Sequence, residues 1–320
     1  MEEQLKVPVF MRRSKKKTKN RRHWYLVKKT ITQYLKTTPR LQIIFTNDKY
    51  VKAFSDECHC NMLPSTCYLL QIECDFPLGN LEKENILMSL VFPMISKLKI
   101  ETYTFILKGG LFCQEIRFNC SPNVGEVKYF KAKIEPYFIN DSPMQKCMIV
   151  FCRDFSIYYV LELFQALSSW FPENEIPVWG GFIDMLTVCQ CCFNTNFCKI
   201  EAEMVLMFIS SPDMKVWTLT LDETCKSKIT IINKLTTFKK EVELKLHSVA
   251  LMYVSSRRIE NLYMLETNSF KEIFPNTILF PIYGETSFGG KNWLEISEII
   301  PDDFSVMEGC NTTIMILTYN

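Results

Sequence analysis

The feature that most constrains this chain is a pattern that occurs twice. In each copy an apolar run is followed by a helical stretch, then Phe-Pro, then a second apolar run. The first copy holds Cys147-Met-Ile-Val-Phe-Cys152, then Ile157, Val160, Leu161, Phe164 and Leu167 at helical spacing, then Phe171-Pro172 and Ile176-Pro-Val-Trp179. The second holds Val249-Ala-Leu-Met-Tyr-Val254, a stretch Glu266–Phe274 with Phe270, Ile273 and Phe274 on one face, then Pro275 and Ile278-Leu-Phe-Pro-Ile-Tyr283. Continuous apolar runs of this length predict strands buried on both faces. The i, i+3, i+4, i+7 spacing predicts helices that bury one side, and the proline ends each helix. Strand, helix, strand in this order predicts a crossover between parallel strands. Two such units imply an α/β fold of two related halves, with mixed β-sheets flanked by helices.

Each copy then runs into glycines. Gly180-Gly181, with Asp184 beyond them, reads as a turn. Gly284, Glu285, Thr286, Ser287, Phe288, Gly289 and Gly290 read as a loop. Glycine lets a backbone or a ligand approach closely, which makes both stretches candidate recognition sites. A tight turn after a buried strand needs the same residues, so composition leaves both readings open.

Further strands are expected at Leu41–Phe45, Cys67–Cys74, Leu87–Phe92, Lys99–Ile106 and in the closing run Thr312–Tyr319. Glu203–Ser210 and Met214–Leu221 are expected to pair as a hairpin, with Ser211-Pro-Asp213 in the turn. Ile229–Leu246, rich in lysine, reads as an outer solvated helix. His23–Lys36 has helical spacing and stops before Pro39.

Charge divides the chain. Residues 12 to 40 hold twelve of its 37 basic residues and no acidic one, which leaves 25 basic against 35 acidic residues elsewhere. Arg12, Arg13, Lys15, Lys16, Lys17, Lys19, Arg21 and Arg22 repel one another with no apolar residue among them, so residues 1–22 are expected to be a disordered basic arm. A solvated tail or a localisation signal is favoured over a nucleic-acid contact, because few aromatics interleave with the charges. The expected domains are this arm, an N-terminal domain over 23–200 and a C-terminal domain over 201–320.

The chemistry-bearing residues form no recognisable motif. Zinc prefers Cys/His ligands in spaced pairs. Cys189-Gln-Cys-Cys-Phe-Asn-Thr-Asn-Phe-Cys198 and Cys58-His59-Cys60 lack that spacing, so no metal and no cofactor is expected. His23, His59 and His247 have no recognisable catalytic partner, and Glu285 spoils a nucleophile-elbow pattern around Ser287. A non-enzymatic chain is the expectation. No apolar run reaches the ~18–20 residues of a membrane span. The acidic start Met1-Glu-Glu is not a secretory signal, and fourteen cysteines suit a reducing compartment. Cytoplasmic or nuclear residence is expected, with no membrane partner.

Several segments together resemble the FIST family, in the form that F-box proteins carry. Phe274-Pro-Asn-Thr-Ile-Leu-Phe-Pro-Ile-Tyr-Gly284 and Cys310-Asn-Thr-Thr-Ile-Met-Ile-Leu317 look like the end of a FIST C-terminal domain. Leu63-Pro-Ser-Thr-Cys-Tyr-Leu-Leu70, Leu90-Val-Phe-Pro-Met-Ile95, Ile100–Phe105 and Ile176-Pro-Val-Trp-Gly-Gly-Phe-Ile-Asp184 agree in order. The resemblance spans residues 40–320. It implies a FIST-like N-terminal domain over 23–200 and a FIST C-terminal domain over 201–320. It also implies a substrate-recognition subunit that docks on the Skp1–cullin scaffold of a ubiquitin ligase and leads an unknown target protein to the proteasome. The F-box expected ahead of the arm is not visible in Met1–Met11, so a stand-alone FIST-like sensor of a small ligand is the alternative. The family loop runs approximately Gly-x-Gly-Glu-Ile-Gly-Cys. Here Thr286, Ser287 and Gly290 replace its second glycine, glutamate and cysteine.

Overall fold

The computed structural model describes residues 39–46, 67–73, 87–93, 97–108, 111–115, 131–132, 134–135, 145–153, 157–171, 176–190, 199–256, 258, 260–291 and 311–319. These form a mixed α/β protein in which strands dominate, with three mixed sheets. The chain divides into two compact units, Met1–Ser96 with Met185–Glu201, and Lys97–Asp184 with Ala202–Asn320. The division is discontinuous in sequence, whereas the sequence reading places single cuts after residues 22 and 200. The basic arm, the stretch His23–Lys36 and Cys58-His59-Cys60 lie outside the described residues.

The first unit contains one five-stranded sheet. Its strands are β1 (Pro39–Thr46), β2 (Tyr68–Glu73), β3 (Leu87–Pro93), β8 (Met185–Gln190) and β9 (Lys199–Glu201), in the order β3-β1-β2-β8-β9. β1 and β2 run parallel in the centre. Their residues Leu41, Ile43, Ile44, Phe45, Leu69, Leu70 and Ile72 are buried.

The second unit holds the two repeated patterns, each built as expected. In the first, β6 (Gln145–Arg153), α1 (Ile157–Trp170) and β7 (Val178–Ile183) make a unit whose two strands are parallel. In the second, β12 (His247–Ser255), α3 (Glu260–Ile273) and β13 (Ile278–Gly284) do the same. The helices stop at the same device, with Phe171 N–H donating to Leu167 O and Phe274 N–H to Phe270 O. α3 begins six residues before Glu266, the start expected from its apolar spacing.

The likeness extends beyond these units. β4 (Lys99–Lys108) and β10 (Met204–Ser211) flank the first, in the spatial order β4-β10-β6-β7. β11 (Lys215–Leu221) and β15 (Thr312–Tyr319) flank the second, as β11-β15-β12-β13. In both sets the late strand lies antiparallel between the early strand and the parallel pair. The registers superpose β4 on β11, so that Lys99-Ile-Glu-Thr-Tyr-Thr-Phe105 matches Lys215-Val-Trp-Thr-Leu-Thr-Leu221. Lysine at the start and threonine at the fourth and sixth places recur.

The sets differ at their edges. β5 (Leu111–Glu115) extends the first sheet beyond β4, and β14 (Ser287–Gly290) extends it beyond β7, giving six strands against four. β10 and β11 do not form the expected hairpin. Each finds its partners in a different sheet, β10 between β6 and β4 and β11 beside β15, and the turn at Ser211–Met214 hands the chain from one sheet to the other. β10 is buried along its whole length.

The expected outer helix is α2 (Lys228–Glu241). Ser227 starts it with a capping box, its side chain accepting from Thr230 N–H while the Thr230 hydroxyl accepts from Ser227 N–H. Ile231, Leu235 and Phe238 are its buried face, and its other residues are mostly exposed.

Candidate functional site

The two glycine stretches expected as separate loops meet in a single seam. Gly180 and Gly181 are not in a turn; they lie inside β7. Ser287, Phe288, Gly289 and Gly290 are not loop residues either. They form β14, which pairs antiparallel with β7, Ser287 against Gly181 and Phe288 against Gly180. Only Glu285 and Thr286 remain as a turn between β13 and β14, and both are half-buried. Asp184, at the end of β7, is exposed.

Close packing explains the glycines. At Gly180 φ is +158°, and a Cβ would stand 1.7 Å from the Val150 carbonyl oxygen. At Gly181 it would meet Thr286 O at 2.5 Å, and at Gly284 the Tyr253 hydroxyl at 1.9 Å. The Tyr253 ring fills the space these residues leave, and its hydroxyl donates to Phe182 O. Phe182 O also accepts from Glu285 N–H at 3.0 Å, and Phe182 N–H donates to Thr286 O at 2.8 Å. Ser255 Oγ donates to Glu285 O at 2.6 Å, and Ser287 Oγ to Asn311 O at 2.8 Å. Ser287 is thus committed to a backbone carbonyl rather than to a base. Phe288 stands edge-on to Phe164 of α1 and to Phe182, with ring centroids 5.9 and 5.6 Å away. It is core, not surface. At the seam Asp184 is exposed, and Glu285 and Thr286 are half-buried.

A second polar cluster, absent from the sequence reading, lies just beyond β12. Arg258 donates from Nε to Glu266 Oε1 at 3.1 Å, and its Nη2 makes a closer ion pair with the same oxygen. Its Nη1 reaches Asp222 O at 3.0 Å and its Nη2 reaches Cys225 O at 3.3 Å. Thr312 Oγ1 donates to Glu266 Oε2 at 2.7 Å. Burial pushes the Glu266 carboxyl up, and Arg258 and Thr312 offset only part of this. Burial likewise pushes the neighbouring Tyr283 hydroxyl up. Both Glu266 oxygens and three Arg258 nitrogens are satisfied within the protein, so the cluster ties the turn Asp222–Cys225 and β15 to α3. One signal for it was present in the sequence: Glu266 shares a helix face with Phe270, Ile273 and Phe274.

The first sheet has a weaker counterpart. Arg153, at the end of β6, pairs with Glu203 at 3.1 Å in a partly exposed position. Cys147 and Cys152 are buried, which pushes their thiols up and keeps them protonated. Cys189 falls in β8, while Cys191, Cys192 and Cys198 lie outside the described residues. Among the described residues no three His, Cys, Asp or Glu side chains are grouped as metal ligands. No described helix is long and apolar enough to cross a membrane.

Compared with models of known protein families and with curated proteins, the chain matches none.

Proposed function

We propose that this chain is a FIST-type recognition subunit with a basic N-terminal arm, and that it presents a target protein to a Skp1–cullin–F-box ubiquitin ligase. The observation that carries this reading is the seam. Ile176–Asp184 and Phe274–Gly284, two of the segments that resemble the FIST family, come together there, with Asp184 exposed and Glu285 and Thr286 half-buried. A rigid backbone framework with a small polar face suits binding rather than bond-breaking. In this reading the chain catalyses nothing; partner enzymes transfer ubiquitin and the proteasome degrades the target, in the cytoplasm or nucleus.

The test is affinity capture of the protein expressed from its natural transcript. Skp1 is expected in the eluate, and Asp184→Ala with Glu285→Ala is expected to release the target while Skp1 stays. Capture without Skp1 overturns the ligase reading.

One observation favours a stand-alone sensor as the second reading. The parallel pairs β6/β7 and β12/β13 end at the same seam, and open α/β sheets bind ligands at the carboxyl ends of their strands. Thermal stabilisation by free amino acids would support it; unchanged melting over a broad ligand panel would count against it.

A further inference from the structure

The outer edge of β11 is the place where the two sheets differ most in what protects them. In the first sheet β5 covers part of β4 and β14 covers part of β7. In the second sheet β13 carries Pro281 and is largely buried. β11 pairs with β15 along all seven residues on one side, and among the described residues no strand pairs with the other. Lys215 to Thr220 are half-buried in succession, as expected of a strand whose edge meets solvent.

An open edge exposes unpaired N–H and C=O groups that recruit another strand, and proteins usually blunt it with charge, proline or a bulge. β11 has none of these along its middle. Its register with β15 runs without a shift, and Lys215, its one charged residue, sits at the end and is paired with Glu243. Val216, Trp217, Thr218, Leu219 and Thr220 are all residues that suit strands or pack well in them.

We infer that this edge binds a second copy of the chain, β11 pairing antiparallel with β11 about Thr218. The sequence complements itself in that register. Thr218 faces Thr218, Trp217 faces Leu219, Val216 faces Thr220 and Lys215 faces Leu221. Such aromatic–aliphatic and threonine pairs stabilise neighbouring strands. The two Lys215 residues fall at opposite ends, about 20 Å apart for six residues of strand. A two-fold axis through Thr218 closes the assembly at two copies and joins two four-stranded sheets into one of eight.

The experiment is sedimentation of the full chain at up to about 100 µM, which reveals micromolar association. A dimer is expected. Thr218→Lys sets two like charges directly opposite each other and is expected to weaken the dimer at least about tenfold, with the circular dichroism unchanged. Thr218→Glu is expected to weaken it alike, and mixing the two variants is expected to restore it. A wild-type chain that stays monomeric overturns the inference. So does a dimer that Thr218→Lys leaves intact, or a mixture that fails to associate. If the charged variants do not fold, Thr218→Cys decides. Opposed residues lie about 4.5–5.5 Å apart between Cα atoms, so mild oxidation is expected to link two chains through position 218, and its failure to do so overturns the inference equally.

Discussion

The set β4, β10, β6, β7 and the set β11, β15, β12, β13 share strand order, direction and register, yet they keep their polar groups in different places. In the first set the ion pair Arg153–Glu203 is partly exposed and the backbone contact at Gly180 is the tightest feature. In the second the ion pair Arg258–Glu266 is wholly enclosed, its side chains 2% and 0% exposed, and Pro281 stands where Gly180 stands in the other. The difference shows that strand order tolerates either solution. What is fixed is the pairing, and each half meets its own packing demands with different residues.

The most severe test of this view is a pair of substitutions at equivalent places. Gly180→Ala drives a Cβ into a backbone carbonyl that cannot move aside, and is expected to cost on the order of 4 kcal/mol or more, or to prevent folding. Pro281→Ala is expected to cost about 1 kcal/mol or less, mainly through the freer unfolded chain. Urea unfolding of both proteins measures the contrast. Equal losses would mean that the two positions carry the same constraint.

The next comparison concerns the ion pairs. Arg258→Ala leaves the Glu266 carboxylate buried without its cation, and is expected to cost about 3–5 kcal/mol. Arg153→Ala leaves Glu203 within reach of water, and about 1–2 kcal/mol is expected. If Arg153→Ala proves the costlier, the burial argument fails.

The smallest effect is one of pH. Burial raises the Asp222 carboxyl, but hydrogen bonds and charge from Lys234 and Thr224 outweigh it and bring the group down to about 2, from an ordinary 3.8. The folded carboxyl binds its proton less readily than the unfolded one. Its stabilisation is therefore complete above pH 4 and is lost as the pH falls from there toward 2. At this half-exposed site the effect is expected to stay below about 1 kcal/mol. Lys234→Met should flatten the melting temperature across that window. The matching place in the first set is Ile106, where β4 continues.

These contrasts also mark what the sequence reveals. The parallel pairs were legible because β6, β7, β12 and β13 are apolar runs whose spacing and punctuation are local. The hairpin of β10 and β11 was not, since a short turn between two strands looks the same whether they pair or part. Gly180-Gly181 and Gly284–Gly290 read as loops because glycine signals a close approach without saying of what; the answer, Val150 and Tyr253, lies elsewhere in the chain. β5, β8 and β9 are short and carry no strong pattern. Of the enclosed cluster, Glu266 could be suspected from its helix face, whereas Arg258 gave no local sign.

The seam between β7 and β14 has a consequence for how the protein is made. Trp179 Nε1 donates to Thr313 O, a residue 134 positions later, and β14 reaches β7 from nearly as far. Translation at ~5–20 residues per second leaves β7 without β14 for on the order of ten seconds. A nascent chain would then display an unfinished sheet to every other strand in its vicinity. Gly180 and Gly181 sit on that waiting edge, and glycine is among the residues least inclined to recruit a strand. Gly181, which admits the close approach of Thr286, and Gly180 beside it thus make the unfinished sheet a poor template for wrong partners before the seam forms.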